Sequence, residues 1–312
     1  MKPIPSPYQL GATLYMPATR QNIAEIVLHN KVLGLRSLVI CLEDAVSEQD
    51  IPAAIENLSR VLQTLAESDA PSSGSSVSNT GHHRPMIFIR PRNMSMAKHL
   101  IANINLNMID GLVLPKFTYA SLAGWWDMVG STHLCIMPTL ETEEVFDVQK
   151  MNQLADTLKN HPCKERIIAL RIGGNDLMSV ISLRRPRDFT LYDGPMGYVI
   201  KMLVAVFAAR EFALTAPVCE HIDDLEILEK ELALDIAHGL VGKTAIHPKQ
   251  IACIQRALKV SSHDYADALN ILASNQAVFK SRGVMCEPAT HQRWAVNILE
   301  RAEYYGIESE TA

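Results

Sequence analysis

The chain has 312 residues, of which 48% are hydrophobic, and it carries a formal net charge of −5 with a pI near 6.1. This length and apolar content predict a compact domain with a large core, and the acidic balance argues against a nucleic-acid partner. No apolar run approaches the roughly 18 residues of a membrane span, and residues 1–7 lack the apolar centre of a signal peptide. Six cysteines without a Cys-x-x-Cys pair are typical of a reduced protein. We therefore expect a cytoplasmic protein that does not associate with membranes.

Short apolar runs alternate with amphipathic stretches along nearly the whole chain. The runs predicted to be strands are 12–15, 37–42, 86–89, 111–114, 134–137, 167–170, 216–219 and 242–246. The clearest predicted helices between them are 51–65, 145–158, 197–214 and 225–236. This alternation predicts a parallel sheet covered by helices, and eight such units in about 250 residues match a closed (β/α)₈ barrel.

We predict an α/β protein with a (β/α)₈ TIM barrel over residues 1–260 and a C-terminal helical extension over residues 261–312. The extension is predicted to contain two helices, 264–280 and 287–305. An open doubly wound sheet is the alternative, but no Gly-x-Gly-x-x-Gly motif follows the first predicted strand.

A polar, serine-rich segment interrupts the alternation at residues 68–84. Because it has no apolar periodicity, we predict a flexible loop, which on a barrel would lie at the N-terminal face, away from the chemistry. His82 and His83 could bind a metal, but adjacent histidines in such a loop are more often only solvated.

Two carboxylates follow neighbouring predicted strands. Glu141 comes after the run 134–137, and Asp176 comes after the run 167–170. If these strands are parallel neighbours, both side chains leave the same end of the sheet. Carboxylates so placed suit Mg²⁺, which takes one or two of them and leaves its other positions to water and substrate. The alternative is that Asp176 caps a helix and Glu141 is an ordinary loop acid.

Six motifs carry a resemblance to a known family. They are Leu42-Glu-Asp-Ala-Val46, Ile89-Arg-Pro-Arg-Asn93, Leu114-Pro-Lys116, Leu140-Glu-Thr142, Gly173-Gly-Asn-Asp-Leu177 and Gly242-Lys-Thr-Ala-Ile-His-Pro-Lys-Gln250. In their order and spacing the chain resembles the citrate lyase β-subunit-like family of the HpcH/HpaI aldolase and citrate lyase superfamily. The resemblance implies a Mg²⁺-dependent (β/α)₈ lyase that cleaves, or in reverse forms, a carbon–carbon bond. Its implied substrate is a 3-hydroxy acid or the coenzyme A thioester of one, and its implied assembly is a homotrimer or homohexamer.

The resemblance also assigns site residues. Glu141 and Asp176 match the metal-ligating carboxylates. Arg90 matches an arginine that holds a substrate carboxylate or carbonyl oxygen, a task that suits a planar guanidinium. The motif here has one extra residue, so Arg92 could share or take this role. Lys116 would add positive charge near the enolate or orient Glu141, and a salt bridge to a nearby acid is equally compatible with its position.

The remaining implied roles concern acids and one further arginine. Glu43 and Asp44 match an acidic pair that would hydrogen-bond the waters of the metal, and Arg20 is assigned to substrate binding. Glu287 stands where relatives supply an acid–base group across a subunit interface. The general base could be Glu43, Asp44, Glu287 or a hydroxide on the metal.

Two other functions are open. One, implied by the resemblance, is an acyl-CoA thioester hydrolase that uses the same metal site. The other is a non-catalytic metal-binding barrel subunit, which departures from the family pattern at Cys41, Arg92 and Glu287 leave open. An apolar stripe on the last predicted helix, which includes Trp294 and Ile298, is expected to pack against a neighbouring subunit or against the barrel of its own chain.

Overall fold

A computed structural model describes residues 4–69 and 84–308 of the chain. The chain divides into two compact units, Met1–Cys253 and Ile254–Ala312, whereas the sequence placed the division after residue 260. Most of the predicted polar loop at 68–84, including His82 and His83, lies outside the described residues. No helix within the described ranges is long and apolar enough to cross a membrane.

Eight parallel strands form the first unit. They are β1 Gly11–Pro17, β2 Ser37–Cys41, β3 Met86–Arg90, β4 Gly111–Leu114, β5 Cys135–Leu140, β6 Leu170–Ile172, β7 Leu214–Thr215 and β8 Gly242–Ala245. They are hydrogen-bonded in the order β7-β6-β5-β4-β3-β2-β1-β8. A parallel bridge between Ala216 and Lys243 joins the two ends of this order. The predicted (β/α)₈ barrel is thus confirmed.

Helices alternate with the strands. They are α1 Ile23–Leu28, α2 Ile51–Asp69, α3 Met94–Asn103, α4 Leu122–Val129, α5 Val148–Asn160, α6 Gly174–Val180, α7 Pro195–Ala208, α8 Leu225–Ala237 and α9 Pro248–Ala257. Several begin at a side-chain cap, because Asn93, Asp147 and Asp224 each accept a hydrogen bond from a backbone N–H of the first turn.

Apolar side chains from around the barrel meet in its interior. This core consists of Leu10, Val39, Phe88, Val113, Met137, Ile168, Ala169 and Val241. Strands enclosed by helices outside and by this core inside are buried on both faces, which explains why they appear in the sequence as continuous apolar runs.

The seam between β7 and β8 has the shortest ladder of the barrel. Leu214 accepts a backbone hydrogen bond from Val241 at 2.9 Å, and Gly242 accepts one from Ala216 at 2.7 Å. The sequence placed this seventh strand at 216–219, two residues late. It also extended the preceding helix to residue 214, because the apolar residues after Ala208 continue the helical pattern. The structure ends that helix earlier, and Glu211 adopts a left-handed φ of 70°, which interrupts helical geometry.

The sixth strand also differs from its prediction of 167–170. The structure has it at Leu170–Ile172, with Arg171 at its centre. The arginine ended the apolar run in the sequence, although its side chain is only 2% exposed. Because a charged residue lies inside this strand, the apolar pattern of the sequence did not show where the strand ends.

The second unit contains α10 Ser262–Ala273, β9 Phe279–Ser281, β10 Val284–Cys286 and α11 Pro288–Tyr305. The predicted helix 264–280 is too long, because α10 ends at Ala273 and an antiparallel hairpin begins at Phe279. Arg282 and Gly283 both have positive φ, 43° and 87°, the geometry of a tight type I′ hairpin turn.

The two helices of this unit share an apolar core. It comprises Val260, Ala268, Ile271, Cys286, Ala295, Ile298 and Ala302, with Leu299 packed against it. Part of the apolar stripe predicted on the last helix is therefore buried within the second unit itself. Trp294 and Val296 from the same stripe are 40% and 49% exposed.

Candidate active site

A cavity of about 230 Å³ lies at the C-terminal ends of the barrel strands. Its lining includes Glu43 and Asp44 after β2, Arg90 at the end of β3, Glu141 after β5 and Asp176 after β6. In TIM barrels this end of the strands carries the catalytic residues. The structure thus brings together five residues that the sequence assigned to one site.

Arg90 occupies the centre of this group and is 8% exposed. Its Nη2 donates to both carboxylate oxygens of Glu141, at 3.0 and 3.1 Å, and its Nε donates to the carboxylate of Glu43. Burial alone would lower the pKa of Arg90, but Glu141, Tyr15 and Glu43 together raise it. The guanidinium is therefore a fixed positive charge, held in one orientation by the carboxylates of Glu43 and Glu141.

Lys116 follows β4 and bridges three acids of the site. Its backbone N–H donates to Glu141 Oε1 at 2.7 Å, and its Nζ lies 3.2 Å from Glu43 Oε1 and 3.1 Å from Asp176 Oδ1. The residue has a left-handed φ of 47°, a conformation that costs about 1–3 kcal/mol for a non-glycine residue. In this backbone conformation the Lys116 amide donates to Glu141. The ammonium also forms the salt bridge to a nearby acid that the sequence allowed as a second role for Lys116.

Glu141 is 3% exposed. Burial raises its pKa to about 7, and the charges of Asp176 and Glu43 add to this shift while Arg90 opposes it. An acid that is so costly to ionise gains free energy from any cation brought close to it.

Asp176 lies in the first turn of α6, but the cap position of that helix is Gly173, which forms no side-chain cap. The Asp176 carboxylate instead accepts the bond from Lys116 Nζ. A Cβ at Gly173 would collide with the Glu141 side chain. Glycine at this position therefore permits the close approach of the two loops that carry the carboxylates.

Replacement of Gly173 by alanine should lower the free energy of unfolding by about 1–3 kcal/mol, because the new methyl group must displace the buried Glu141 side chain. Gly194→Ala is the matched control, since a Cβ there meets nothing within 4 Å. Thermal denaturation of both variants measures the difference. Equal midpoints for the two would show that the Glu141 side chain moves aside without strain.

Arg92 does not line the cavity. Its Nη2 donates to the backbone carbonyls of Val46 and Glu43, and its Nη1 lies 3.9 Å from the exposed Glu48. These contacts hold the turn after β2 that carries Glu43. The Arg92 side chain therefore packs against this turn and does not face the cavity. Its predicted share in substrate binding stays a prediction.

Arg20 also does not line the cavity. Arg20 is exposed and donates to Asn22 Oδ1 at 2.7 Å. Glu287 belongs to the second unit, where its carboxylate accepts a bond from Thr290 at the start of α11. Their assigned roles likewise remain predictions.

The sequence did not assign four polar strand residues that line the same cavity, namely Tyr15, Thr139, Arg171 and Thr244. Each lies within a strand and not after it. A polar residue in an apolar run was the available signal, but only the register of the strands shows that these side chains point into the barrel.

A closed barrel with buried acids, an arginine and a lysine at the C-terminal ends of its strands defines an enzyme of the TIM-barrel class. A family profile described as C-C bond lyase of the TIM-barrel fold matches residues 4–307. The chain belongs to this family, and the predicted carbon–carbon lyase class is confirmed. No curated protein matches the chain significantly.

Solved structures share the fold. The CitE protein of Mycobacterium tuberculosis in complex with magnesium, acetoacetate and coenzyme A superposes with a TM-score of 0.64 at 21% identity, covering 94% of this chain and 98% of that one. A citrate lyase from Burkholderia xenovorans gives a TM-score of 0.69 at 16% identity, with 96% and 94% covered. RipC from Yersinia pestis gives 0.57 at 19% identity, with 81% and 96% covered.

Proposed function

We propose that the protein is a Mg²⁺-dependent lyase that cleaves, or in reverse forms, the carbon–carbon bond of a 3-hydroxy acid or its coenzyme A thioester. The main observation in support is that Glu141 and Asp176 share one cavity with the fixed charges of Arg90 and Lys116. Family membership supplies the reaction class, and the site residues supply the proposed chemistry.

The donor set of the cavity fits Mg²⁺. Within residues 4–69 and 84–308, no group of three or more histidines, cysteines or acids is arranged to hold a metal. Glu141 and Asp176 would be its two protein ligands, with water and substrate completing the shell, as Mg²⁺ prefers. Lys116 already places a positive charge between Asp176 and Glu43, so the carboxylates are arranged around a cation. The magnesium in the CitE complex adds support.

The proposed reaction breaks the bond between the carbinol carbon and the carbon next to the carbonyl. The electron pair remains on the latter fragment as an enolate, and the carbinol oxygen loses its proton and becomes a new carbonyl. Mg²⁺ at Glu141 and Asp176 would supply Lewis-acid polarisation of substrate oxygens. Arg90 would stabilise the charge that develops on the enolate, because its guanidinium is already oriented by two carboxylates.

A base must accept the carbinol proton. Glu43 is held by both Arg90 and Lys116, whereas Asp44 lines the cavity and forms no ion pair among the described residues. This difference favours Asp44, because its carboxylate faces the cavity and is not already held by a cation.

Three further features belong to the same proposal. We infer a homotrimer or homohexamer in which Glu287 of one subunit serves its neighbour, and the exposed Trp294 and Val296 on α11 are available for such contact. We infer a coenzyme A thioester as one form of the substrate. The six cysteines are free thiols, which supports a reducing, cytoplasmic location.

The metal site is tested by replacing its ligands. Glu141→Gln and Asp176→Asn should each weaken Mg²⁺ binding at least about tenfold in isothermal titration, because each removes a charged oxygen ligand. Asp156→Asn, which changes an exposed acid paired with Arg210, is the matched control. Unchanged affinity in both site variants would refute the assignment.

Substrate dependence separates the remaining functions. A lyase should release a carbonyl compound from a hydroxyacyl thioester in the presence of Mg²⁺. Release of free coenzyme A without carbon–carbon cleavage would identify a thioester hydrolase. Absence of any Mg²⁺-dependent shift in melting temperature with oxaloacetate or acetyl-CoA would indicate a non-catalytic subunit.

Magnesium binding should depend on pH through Glu141. Its pKa is raised to about 7, so the carboxyl group is protonated below that pH and must lose the proton before it binds a cation. Apparent affinity should fall about tenfold per unit as pH decreases below the pKa, and it should level off above it. Titrations between pH 5.5 and 8.5 measure this, and Glu141→Gln should abolish the steep region. A flat profile in the unaltered protein would contradict the raised pKa.

A further inference from the structure

The proposed reaction requires a proton donor in addition to a base. Cleavage leaves an electron pair on the carbon next to the carbonyl, and that carbon must take up a proton to complete the product. Asp44 is assigned to the carbinol proton, and the carboxylates of Glu43 and Glu141 are already held by Arg90. These acids are committed to other tasks, so the donor is expected among the other side chains of the cavity.

Tyr15 on β1 is half-buried and lines the cavity. Its ring packs against the apolar core of the barrel, and the Cζ atom of Arg171 lies 5.2 Å from the ring centre. The hydroxyl forms a hydrogen bond with the Arg171 side chain, and it lies within electrostatic range of Arg90. Packing therefore fixes the ring, and the hydroxyl is held next to the positive charges of the site.

The proton of this hydroxyl is not used within the described part of the protein. A guanidinium has donors but no acceptor, so the Tyr15 oxygen accepts the bond from Arg171 and its own O–H remains available. Within residues 4–69 and 84–308, no group accepts a hydrogen bond from this O–H. Loss of the proton would leave a negative charge near two arginines, where attraction between opposite charges is much stronger than in water. The hydroxyl is therefore placed to give its proton to a molecule in the cavity.

Two other protonated groups at the site are poorer donors. Burial lowers the pKa of Lys116, but Glu43 and Asp176 raise it above its ordinary value, so the ammonium keeps its proton. Burial raises the pKa of the Cys41 thiol, and two backbone amides already donate to its sulfur. The guanidiniums stay charged because arginine does not give up its proton in proteins. The tyrosine hydroxyl is thus the donor that the contacts favour.

We propose that Tyr15 is a catalytic residue that donates its hydroxyl proton to the enolate carbon and, in the reverse direction, removes a proton from that carbon. This rests on the proposed function, because only a reaction that forms an enolate needs such a donor. The electron pair of the enolate forms the new C–H bond while the O–H bond of Tyr15 breaks. The phenolate then regains a proton from water, and the proton taken by Asp44 passes to water, so the net reaction is balanced.

Exchange of hydrogen at this carbon measures the step directly. In D₂O with Mg²⁺, the unaltered protein should replace the methyl hydrogens of pyruvate or of acetyl-CoA by deuterium, which proton NMR follows. Tyr15→Phe keeps the ring and its packing but removes the O–H. It should lower the exchange rate at least about a hundredfold, while the affinities for Mg²⁺ and for the probe stay within about fivefold.

Two further measurements separate catalysis from a structural role. Cys41→Ala is the matched control, because it removes another protonated group that lines the same cavity and should leave the exchange rate unchanged. Incorporation of 3-fluorotyrosine at position 15 keeps the ring and the hydroxyl but makes the hydroxyl more acidic. It should move the pH profile of exchange to lower pH, whereas a hydroxyl that only holds Arg171 would leave the profile unmoved. This measurement also decides the question if Tyr15→Phe fails to fold.

The outcomes separate the role of Tyr15 from the wider proposal. Undiminished exchange in Tyr15→Phe, a loss of exchange explained entirely by weaker probe binding, or a loss in Cys41→Ala alone would each overturn the role and leave the lyase proposal standing. Absence of exchange by the unaltered protein, although Mg²⁺ binds, would overturn the enolate chemistry of the proposed function and the role of Tyr15 with it.

Discussion

Replacement of Arg90 by lysine should lower the rate of carbon–carbon cleavage by at least about a hundredfold. The lysine keeps a positive charge but cannot contact Glu43 and Glu141 in the fixed, forked arrangement that the guanidinium provides. The charge would then be mobile where the proposed enolate develops, and its stabilising effect would depend on reorganisation during the reaction. The rate constant for release of the carbonyl product measures the effect.

Arg92→Lys is the control for this change. Arg92 donates to backbone carbonyls in the turn that carries Glu43, so a lysine there can retain one of these bonds and should alter the rate by less than about tenfold. Both variants should retain the circular dichroism spectrum of the unaltered protein. Loss of activity in Arg92→Lys with little change in Arg90→Lys would transfer the substrate-binding role to Arg92.

Replacement of Lys243 by methionine should lower the free energy of unfolding by about 3–5 kcal/mol. Lys243 is 2% exposed, and its Nζ lies 3.2 Å from Glu231 Oε2 and 2.8 Å from Asp235 Oδ2. Without the ammonium, Asp235 is a buried acid with no cationic partner, and Arg185 remains to neutralise Glu231. Urea denaturation of the barrel measures the loss.

Two further variants test this explanation. Lys249→Met removes an exposed pair with Asp223 and should change the free energy of unfolding by less than about 1 kcal/mol. Replacing Lys243 and Asp235 together with apolar residues should recover much of the lost stability, since Glu231 keeps its pair with Arg185 and no buried acid is left without a cation. A double variant less stable than Lys243→Met would show that the two ions contribute more than the neutralisation of each other's charge.

The sequence predicted the barrel because its strands are buried on both faces, which makes them visible as apolar runs. It predicted that Glu141 and Asp176 lie together because parallel strands end on one side, a consequence of topology that needs no detailed geometry. Lys116 was assigned to the site through the family resemblance of its Leu-Pro-Lys motif and not through topology. The structure adds the bonds that join these residues to Arg90, which depend on side-chain rotamers.

Other features were beyond the sequence because they depend on register or on local backbone conformation. Arg171 falls within β6 because the strand continues to Ile172, whereas the predicted strand ended at Leu170 and left Arg171 outside it. The hairpin after α10 depends on positive φ values at Arg282 and Gly283. Of these two residues only Gly283 indicates a turn in the sequence. The apolar residues around it are spaced in a way that is compatible with a helix as well as with a strand.

The seam between β7 and β8 gives α8 an unusual influence on the barrel. Lys243 on β8 is anchored to Glu231 and Asp235 of that helix, and Arg185 ties Glu231 to the carbonyl of Val218 just after β7. Elsewhere, a covering helix can change its sequence while the backbone ladder keeps the strands together. At this seam, where the backbone ladder is shortest, side chains of α8 help to hold the two strands together. Substitutions at positions 231 and 235 should therefore be tolerated as poorly as substitutions in a barrel strand, although both positions belong to a helix.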